Sequence, residues 1–322
     1  MQENQEKILR KSIVLTLAYY QATESPLTLA QIGRYLLFFR KVPSFSLANL
    51  KQTLAKFEKK GIVTRQKGLY CLTEKKDGLK KKIWCSFLRR EKESQRKIDK
   101  VRKALYVFSL IPFIKNIYLC GSVARKSALP KSDVDFLVIT NNQRVWFVRF
   151  FLTIISFFLG KKTSSSSGRN NKFCLNHYRS EFCQTIPQKM QDTYSASEYS
   201  RMLNLFGQQG RKNFLSSNQT WMKNFLPNFD YVKPPLFRFP RSNGAKHLLE
   251  VLFSGRIGNF IEAFLQRIQK MKITKNIHHH GLPQNARLVL ENNVIMFHLT
   301  PRAPKVMGRM RKTLDELSPT YN

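Results

Sequence analysis

Residues 117–140 read IYLCGSVARKSALPKSDVDFLVIT, and no other stretch predicts the core of the fold as directly. An apolar run ends at Cys120 and is followed by the small residues Gly121 and Ser122. After ten further residues come Asp133 and Asp135, and a second apolar run begins directly behind them. The pattern predicts a strand, a tight turn, a spacer and a second strand.

The two aspartates lie two residues apart on the predicted second strand, so their side chains point to the same face. Two neighbouring carboxylates repel each other unless a cation lies between them. Oxygen ligands of this kind suit Mg²⁺, and a turn of small residues lets the backbone approach a phosphate. The residues favour a site for Mg²⁺ and a nucleoside triphosphate. The alternative is a solvated Asp-x-Asp turn near an ordinary Gly-Ser loop.

This spacing resembles the signature of the DNA polymerase β-like nucleotidyltransferase superfamily. The segment Gly121-Ser-Val-Ala-Arg125 is similar to the opening of the minimal nucleotidyltransferases, and Ser132 before Asp133 also fits. The resemblance covers residues 114–140. It implies an α+β fold in which a mixed sheet with helices forms a nucleotidyltransferase core.

The resemblance also implies roles for the site residues. Asp133 and Asp135 would be catalytic and would ligate one or two Mg²⁺ ions. The expected nucleotide-binding residues lie in the turn or just before the acidic pair, and they are Gly121, Ser122, Arg125 and Ser132. Arg125 would pair with a phosphate through two guanidinium nitrogens.

Active members of the superfamily carry a third carboxylate on a later strand, where it often serves as the base for the acceptor hydroxyl. The corresponding strand is predicted within 172–178, and its central polar residues are Asn176 and His177. An asparagine can coordinate a metal but cannot act as a base, whereas His177 could act as a base or simply face solvent, and we expect the latter. Glu181 lies just beyond the strand and is the candidate for the third catalytic acid.

The chain of 322 residues is strongly basic, with 56 Lys and Arg against 20 Asp and Glu and a formal net charge of +36. Such a charge attracts nucleic acid, nucleotides or an anionic membrane surface. A basic bias of the whole proteome explains it equally well, because lysines and arginines occur from end to end. The five cysteines form no C-x-x-C pair, and neither a signal peptide nor a transmembrane segment is predicted. These features favour the cytoplasm.

The sequence predicts four regions. Residues 1–80 contain three predicted helices and a hairpin, the order of a winged helix, which this segment resembles. Residues 81–110 form a charged linker helix, and 111–231 form the nucleotidyltransferase-like domain. Residues 232–322 form a mostly helical region with a hairpin, joined by a linker over 232–240.

Several elements after the acidic pair are predicted from periodicity. Helices are expected at about 195–206 and 213–225, and one long helix is expected from Leu248 to Met271. The run from His278 to His280 is expected to form a loop, because three consecutive histidines on a regular element cannot all reach one metal ion.

Two functions remain open from the sequence. The first is an Mg²⁺-dependent nucleotidyltransferase that moves a nucleoside monophosphate from an NTP to an unknown acceptor, whether protein, RNA or small molecule. The second is a nucleic-acid-binding regulator with a nucleotide-sensing or vestigial core, using the basic surface and the third N-terminal helix. The winged-helix-like region could equally be a module that docks on protein.

Overall fold

The computed structural model describes most of the chain. The described residues are 2–38, 45–73, 79–159, 172–207, 213–230, 237, 244–281, 286–298 and 302–321. The linker predicted for 232–240 lies outside them apart from Phe237, and so does the predicted domain boundary between residues 231 and 232.

The N-terminal unit is built from three helices and a small sheet. Its elements are α1 (Gln2–Ala22), β1 (Leu27–Thr28), α2 (Leu29–Arg34), α3 (Leu47–Lys59), β2 (Val63–Gln66) and β3 (Leu69–Leu72). Strand β3 lies between β1 and β2 and is antiparallel to both. The helix starts follow from local sequence, because Thr28 and Gln31 form a capping box and Ser46 accepts from Asn49 N.

One long helix, α4 (Leu79–Ser109), leads from this unit to the central sheet. Its inward face carries Ile98, Val101, Leu105 and Phe108, which are buried in the same apolar cluster as residues of the sheet. The predicted linker helix is present, but it packs against the sheet and does not stand as a separate connector. Burial of its apolar stripe accounts for this position.

The centre of the molecule is a six-stranded mixed sheet. In spatial order its strands are β7 (Leu203–Gly207), β4 (Ile114–Cys120), β5 (Val134–Thr140), β6 (Phe173–Ser180), β9 (Val294–His298) and β8 (Arg287–Leu290). Strands β5 and β6 are parallel, and the other four neighbouring pairs are antiparallel. The two strands predicted on either side of the Gly-Ser turn and the spacer are confirmed as β4 and β5.

The remaining helices follow the chain around this sheet. They are α5 (Gly121–Ala124), α6 (Val145–Phe158), α7 (Thr193–Ser200), α8 (Phe214–Met222), α9 (Gly244–Leu252), α10 (Arg256–His280) and α11 (Ala303–Tyr321), with a 3₁₀ turn at Gln188–Met190. The sheet, the helices and the helical C-terminal region confirm the predicted α+β class.

The two faces of the sheet are covered by different helices. Leu119, Phe136 and Val138 point to one face, where they pack with residues of α4, α6 and α10. Tyr118 and Leu137 point to the opposite face, where α7, α8, α11 and the N-terminal unit contribute to the core. Successive side chains of these strands point to opposite faces of the sheet, and both faces are buried. The strands therefore have continuous apolar sequences.

Strand β7 corrects the predicted helix at 195–206. Helix α7 ends at Ser200, and Leu203–Gly207 pairs with β4 as the edge strand of the sheet. Leu205 is fully buried in this arrangement. Pairing with an existing sheet outweighs the weak helical preference of the segment.

The C-terminal region also departs from the prediction. The hairpin β8–β9 is present, but it pairs with β6 and extends the central sheet. The long helix predicted from Leu248 to Met271 is interrupted between α9 and α10, where Arg144 donates to the carbonyls of Phe253 (3.1 Å) and Ser254 (2.9 Å). These bonds satisfy carbonyls that a helix break leaves free.

The sequence predicts a loop for the histidine run, and this prediction is wrong. Residues 278–280 form the last turn of α10, and Gly281 follows with a φ of +72°. The helix extends this far because a glycine able to adopt positive φ comes only after the third histidine.

Candidate active site

The turn after β4 brings Gly121 into contact with the acidic pair. The φ of Gly121 is +68°, and a Cβ placed on this residue would overlap Asp135 Oδ2. Any other residue would be strained by its backbone and would displace the carboxylate. The Gly-Ser turn and the aspartates therefore lie side by side.

The register of the sheet sets Asp135 between two cysteines. Cys120 of β4 lies opposite Asp135, and Cys174 of β6 lies opposite it on the other side. The Cys174 side chain hydrogen-bonds to Asp135. Asp133 points to the same face and accepts a bond from Lys172 N, with 3.1 Å between N and Oδ1. Both aspartates are half-buried.

The charge of the acidic pair is only partly compensated by the protein. Burial raises the pKa of Asp135, and the carboxylates of Glu198 and Asp133 act in the same direction. The Arg302 guanidinium and the hydrogen bond with Cys174 oppose this increase in the pKa of Asp135. A cation bound at the pair would relieve the remaining repulsion.

The thiols beside Asp135 do not supply a third negative charge. Burial raises the pKa of both Cys120 and Cys174, and the nearby charge of Asp135 raises it further. Both thiols are therefore protonated near neutral pH. Among the residues that the structure describes, no group of three His, Cys, Asp or Glu side chains could hold a metal ion.

Glu181, the predicted third acid, lies at the far end of the sheet. Asp135 is aligned with Cys174, and Glu181 follows Cys174 by seven residues, which is about 20 Å along a strand. Glu181 N donates to Thr140 O (2.9 Å), and its carboxylate faces Lys115 Nζ at 3.9 Å. The structure does not bring Glu181 to the aspartates, because a residue after the end of β6 cannot reach a site at its start.

Arg125 is turned inward and does not present two nitrogens to a substrate. It is buried and forms an ion pair with Glu198 of α7. Burial is the largest influence on the pKa of Arg125 and lowers it, but the Glu198 carboxylate together with Tyr194 and Tyr19 raises this pKa by more. Arg201 Nη2 donates to the Arg125 carbonyl (3.2 Å). In this position Arg125 ties the turn to α7.

The two serines have different surroundings. Within the described part of the chain, Ser122 Oγ is buried and has no hydrogen-bond partner. Ser132 Oγ accepts from Leu129 N (2.9 Å), and its carbonyl accepts from Lys97 Nζ (2.9 Å), which also donates to Pro130 O (3.1 Å). Ser132 thus shapes the spacer before the acidic pair, whereas the Ser122 hydroxyl is buried without a partner.

The sequence predicts that His177 faces solvent, and this prediction is wrong. The residue is 4% exposed, and its Nε2 accepts from Arg179 Nε (3.2 Å). The rings of Tyr199 and Phe214 lie 6.3 and 6.5 Å from its own. His177 is buried because α7 and α8 cover this face of β6.

Sequence analysis missed two basic residues near the turn. Lys97 lies within the apolar stripe of α4, between Ser94 and Val101. A lysine on the buried side of a predicted helix could have been recognised from the sequence. Arg302 acts on Asp135 from the segment before α11. No pattern marks Arg302, because it is distant from Asp135 in sequence and its position depends on the C-terminal hairpin.

The Gly-Ser turn and the paired carboxylates lie in the part of the chain that matches a known protein family. The model of the family described as nucleotidyltransferase domain matches residues 89–173. The match begins inside α4, includes the turn and the acidic pair, and ends at the first residue of β6. It supports membership of this part of the chain in the nucleotidyltransferase superfamily.

Two further comparisons gave no additional relatives. The search of curated proteins and the search of solved structures each found no match. Among the described helices, none is long and apolar enough to cross a membrane.

Proposed function

We propose that this protein is an Mg²⁺-dependent nucleotidyltransferase that transfers a nucleoside monophosphate from an NTP to an acceptor. The observation that carries the proposal is the contact between Gly121 and Asp135, because it joins a backbone able to approach phosphate to a metal-binding carboxylate. The family match supports nucleotidyl transfer in general terms. Proteins, RNA and small molecules are the acceptor classes to test.

The donor set fits Mg²⁺ bound together with its substrate. Asp133 and Asp135 offer oxygen ligands from one face of β5, and burial and mutual repulsion raise the pKa of Asp135. Mg²⁺ is often held by one or two carboxylates, with phosphate and water oxygens completing its shell. When bound, the ion neutralises charge on the reacting phosphate and on the leaving pyrophosphate.

The other residues of the site would bind and orient the triphosphate. Gly121 gives the turn its positive φ and brings the turn against Asp135, and the unpartnered Ser122 hydroxyl would donate to a phosphate oxygen. We assign the phosphate contact first expected of Arg125 to Arg302, since Arg125 is already paired with Glu198. Arg125 then acts as a positioning residue for the turn.

Catalysis at this site would depend mainly on positioning and charge neutralisation. Among the described residues, no third carboxylate joins Asp133 and Asp135 in a group that could hold a metal ion, and Glu198, whose carboxylate acts on Asp135, is already paired with Arg125. General-base assistance contributes about 10²–10⁴-fold in enzymes that have it. We therefore expect slow transfer compared with superfamily members that carry the third acid.

Release of labelled pyrophosphate from each of the four NTPs tests the proposal. We expect release that requires Mg²⁺ and that falls to background in the Asp133→Asn and Asp135→Asn variants. Glu181→Gln is the matched control, since it also removes a carboxylate but lies about 20 Å from Asp135. Equal turnover by wild-type and Asp135→Asn protein would overturn the proposal, as would activity that persists in EDTA.

A second candidate function is nucleic-acid binding by the N-terminal unit, which we propose to be a winged helix. The observation that favours it is a basic surface on α3 and the β2–β3 hairpin. Its exposed members are Lys51, Lys59, Lys60, Arg65 and Lys67. Helix α3 is the third helix of the unit, the one that enters the major groove in helix-turn-helix proteins.

Salt-dependent binding to duplex DNA tests this second function. The association constant for DNA should decrease with salt concentration less steeply in a Lys51→Ala/Lys59→Ala/Lys60→Ala variant. If each lysine contacts a phosphate, the magnitude of the slope of log K against log salt should be smaller by about 2–3. An Arg89→Ala/Lys92→Ala/Lys103→Ala variant removes the same charge from exposed positions on α4 and should keep the wild-type slope. Equal slopes for the two variants, or no binding at low salt, would contradict a DNA-binding role for α3.

A further inference from the structure

Helix α10 exposes an apolar ridge along its outer side. The residues of this ridge are Ile257 (64% exposed), Phe260 (74%), Phe264 (55%), Ile268 (43%) and Met271 (62%). Their spacing of three or four residues places them within about a quarter of the helix circumference and along about 21 Å of its axis. Single exposed apolar residues are common, but a continuous row of large ones marks an interaction surface.

The opposite side of α10 is anchored to the core, which holds the ridge outward. Glu262, Leu265, Gln269 and Ile273 are buried on that side. Gln269 Nε2 donates to Trp146 O (2.9 Å). Helix α10 therefore cannot turn its ridge inward without breaking its packing against α6.

Neighbouring helices add exposed apolar residues. Helix α9, which directly precedes α10, exposes Leu248, Val251 and Leu252. Helix α6, which packs against α10, ends with the exposed residues Phe157 and Phe158. Among the exposed apolar residues of these three helices, the ridge forms the longest row.

The exposed charges on the helix that carries the ridge are basic. On α10 they are Arg256, Arg267, Lys272 and Lys275. Residues 244–281 contain two acids, and neither is fully exposed. Glu250 is half-buried and accepts from Phe113 N (2.8 Å), and Glu262 is buried against α6. The partner of this surface should therefore be apolar at its centre and anionic at its edges.

We propose that the α10 ridge docks the protein on the surface of an anionic lipid bilayer. The apolar side chains would enter the boundary between headgroups and acyl chains, and the flanking bases would contact anionic headgroups. A second copy of the chain is disfavoured, because pairing two ridges would bring the bases of α10 together with no exposed acid on α9 or α10 to offset them. Nucleic acid would offer phosphates to the bases but would leave the ridge uncovered. The proposal does not depend on nucleotidyl transfer.

Flotation of the full-length protein with lipid vesicles tests the apolar part of the proposal. We expect binding to phosphatidylcholine vesicles that contain about 30% phosphatidylglycerol, and weak binding to pure phosphatidylcholine. Phe260→Ser/Phe264→Ser should weaken binding by at least about tenfold, because two buried phenyl groups are lost. Leu47→Ser/Phe182→Ser is the matched control, since these residues are 58% and 76% exposed elsewhere and should not matter.

The electrostatic part needs a control for the high net charge of the chain. Arg256→Glu/Arg267→Glu/Lys272→Glu should weaken binding to the anionic vesicles. Lys51→Glu/Lys59→Glu/Lys60→Glu changes the net charge by the same amount on α3 and should have a much smaller effect. Equal weakening by the two variants would mean non-specific attraction and would overturn the proposal.

Direct insertion and self-association are tested separately. A Phe260→Trp variant should gain fluorescence quenching by brominated lipids over wild type, and Phe182→Trp should not. Circular dichroism verifies that each variant is folded. Light scattering measures whether the protein is a monomer or a dimer. If the wild type is a dimer, and Phe260→Ser/Phe264→Ser makes it a monomer without changing vesicle binding, the ridge is a contact between copies. That result would overturn the membrane assignment.

Discussion

Gly121 and Asp135 constrain each other at the scale of single residues. Glycine provides the positive φ of the turn and also the empty space that the Asp135 carboxylate occupies. These are two separate requirements, and Gly68 has only the first. Gly68 has a φ of +78° but has no atom within 4 Å of the position that a Cβ would take.

The two requirements can be separated by substitution. Gly121→Ala should cost about 1 kcal/mol for its positive φ and should also displace Asp135, so that NTP turnover is lost. Gly68→Ala should lower the free energy of unfolding by a similar amount, because its φ is also positive, but it should leave NTP turnover unchanged. Urea unfolding measures the stability of each variant, and pyrophosphate release measures its turnover. Full turnover in Gly121→Ala would show that the position of Asp135 does not matter for the reaction.

Helix α6 shows how elements depend on each other for capping. Its N-cap residue, Arg144, makes no side-chain capping bond. Instead, Glu262 of α10 accepts from Trp146 N (2.9 Å) and Phe147 N (2.7 Å) with its two carboxylate oxygens. A carboxylate is favourable at a helix N-terminus, and here it also fixes α6 against α10.

The buried position of Glu262 predicts a pH dependence of stability. Burial raises the pKa of Glu262 to about 7, from 4.5 for an unperturbed glutamate. Between these values the folded state holds a proton that the unfolded state has lost, so the free energy of unfolding decreases as pH rises. The stability of wild type relative to Glu262→Gln should therefore fall by about 3 kcal/mol between pH 4.5 and pH 8.

Urea unfolding of both proteins at several pH values measures this difference. The comparison removes the contributions of other titrating groups, since the two chains share them. The amide introduced by Glu262→Gln cannot keep both bonds of the carboxylate, which adds an offset that does not vary with pH. A constant difference between the two proteins across this pH range would contradict the raised pKa of Glu262.

At the scale of the whole molecule, the N-terminal unit and the sheet share one core. The guanidinium of Arg201 lies over the rings of Tyr20 (5.3 Å) and Tyr35 (5.7 Å) while Nη2 donates to the carbonyl of Arg125. Asn228 Nδ2 donates to Gly33 O (2.8 Å), which adds a second link. Arg201 thereby connects the N-terminal unit to the turn of the candidate active site.

This shared core predicts one cooperative unfolding transition. Arg201→Met should lower stability by about 2 kcal/mol, because it removes stacking on two rings and a buried hydrogen bond. Arg65→Met is the control, since Arg65 stacks on Tyr70 at 5.5 Å but is exposed, and it should cost less than about 1 kcal/mol. Thermal unfolding followed by circular dichroism tests this, and a separate early transition in either protein would contradict a single cooperative core.

Local sequence was sufficient for the elements whose signals are contiguous. Strands β4 and β5 follow from apolar runs that end at Cys120 and begin behind Asp135, and the helix starts follow from Thr28 and Ser46. The Gly-Ser turn and the paired aspartates also belong to this group. Their contact depends on two strands joined by a short spacer, which leaves few ways to pair them.

Only the folded chain shows which distant residues meet the acidic pair. The register of β6 places Cys174, and not Glu181, next to Asp135. The ion pair that withdraws Arg125, the approach of Arg302 and the pairing of the C-terminal hairpin with β6 likewise join segments far apart in sequence. Strand register and helix docking are determined by burial across the whole core, and no local pattern contains that information.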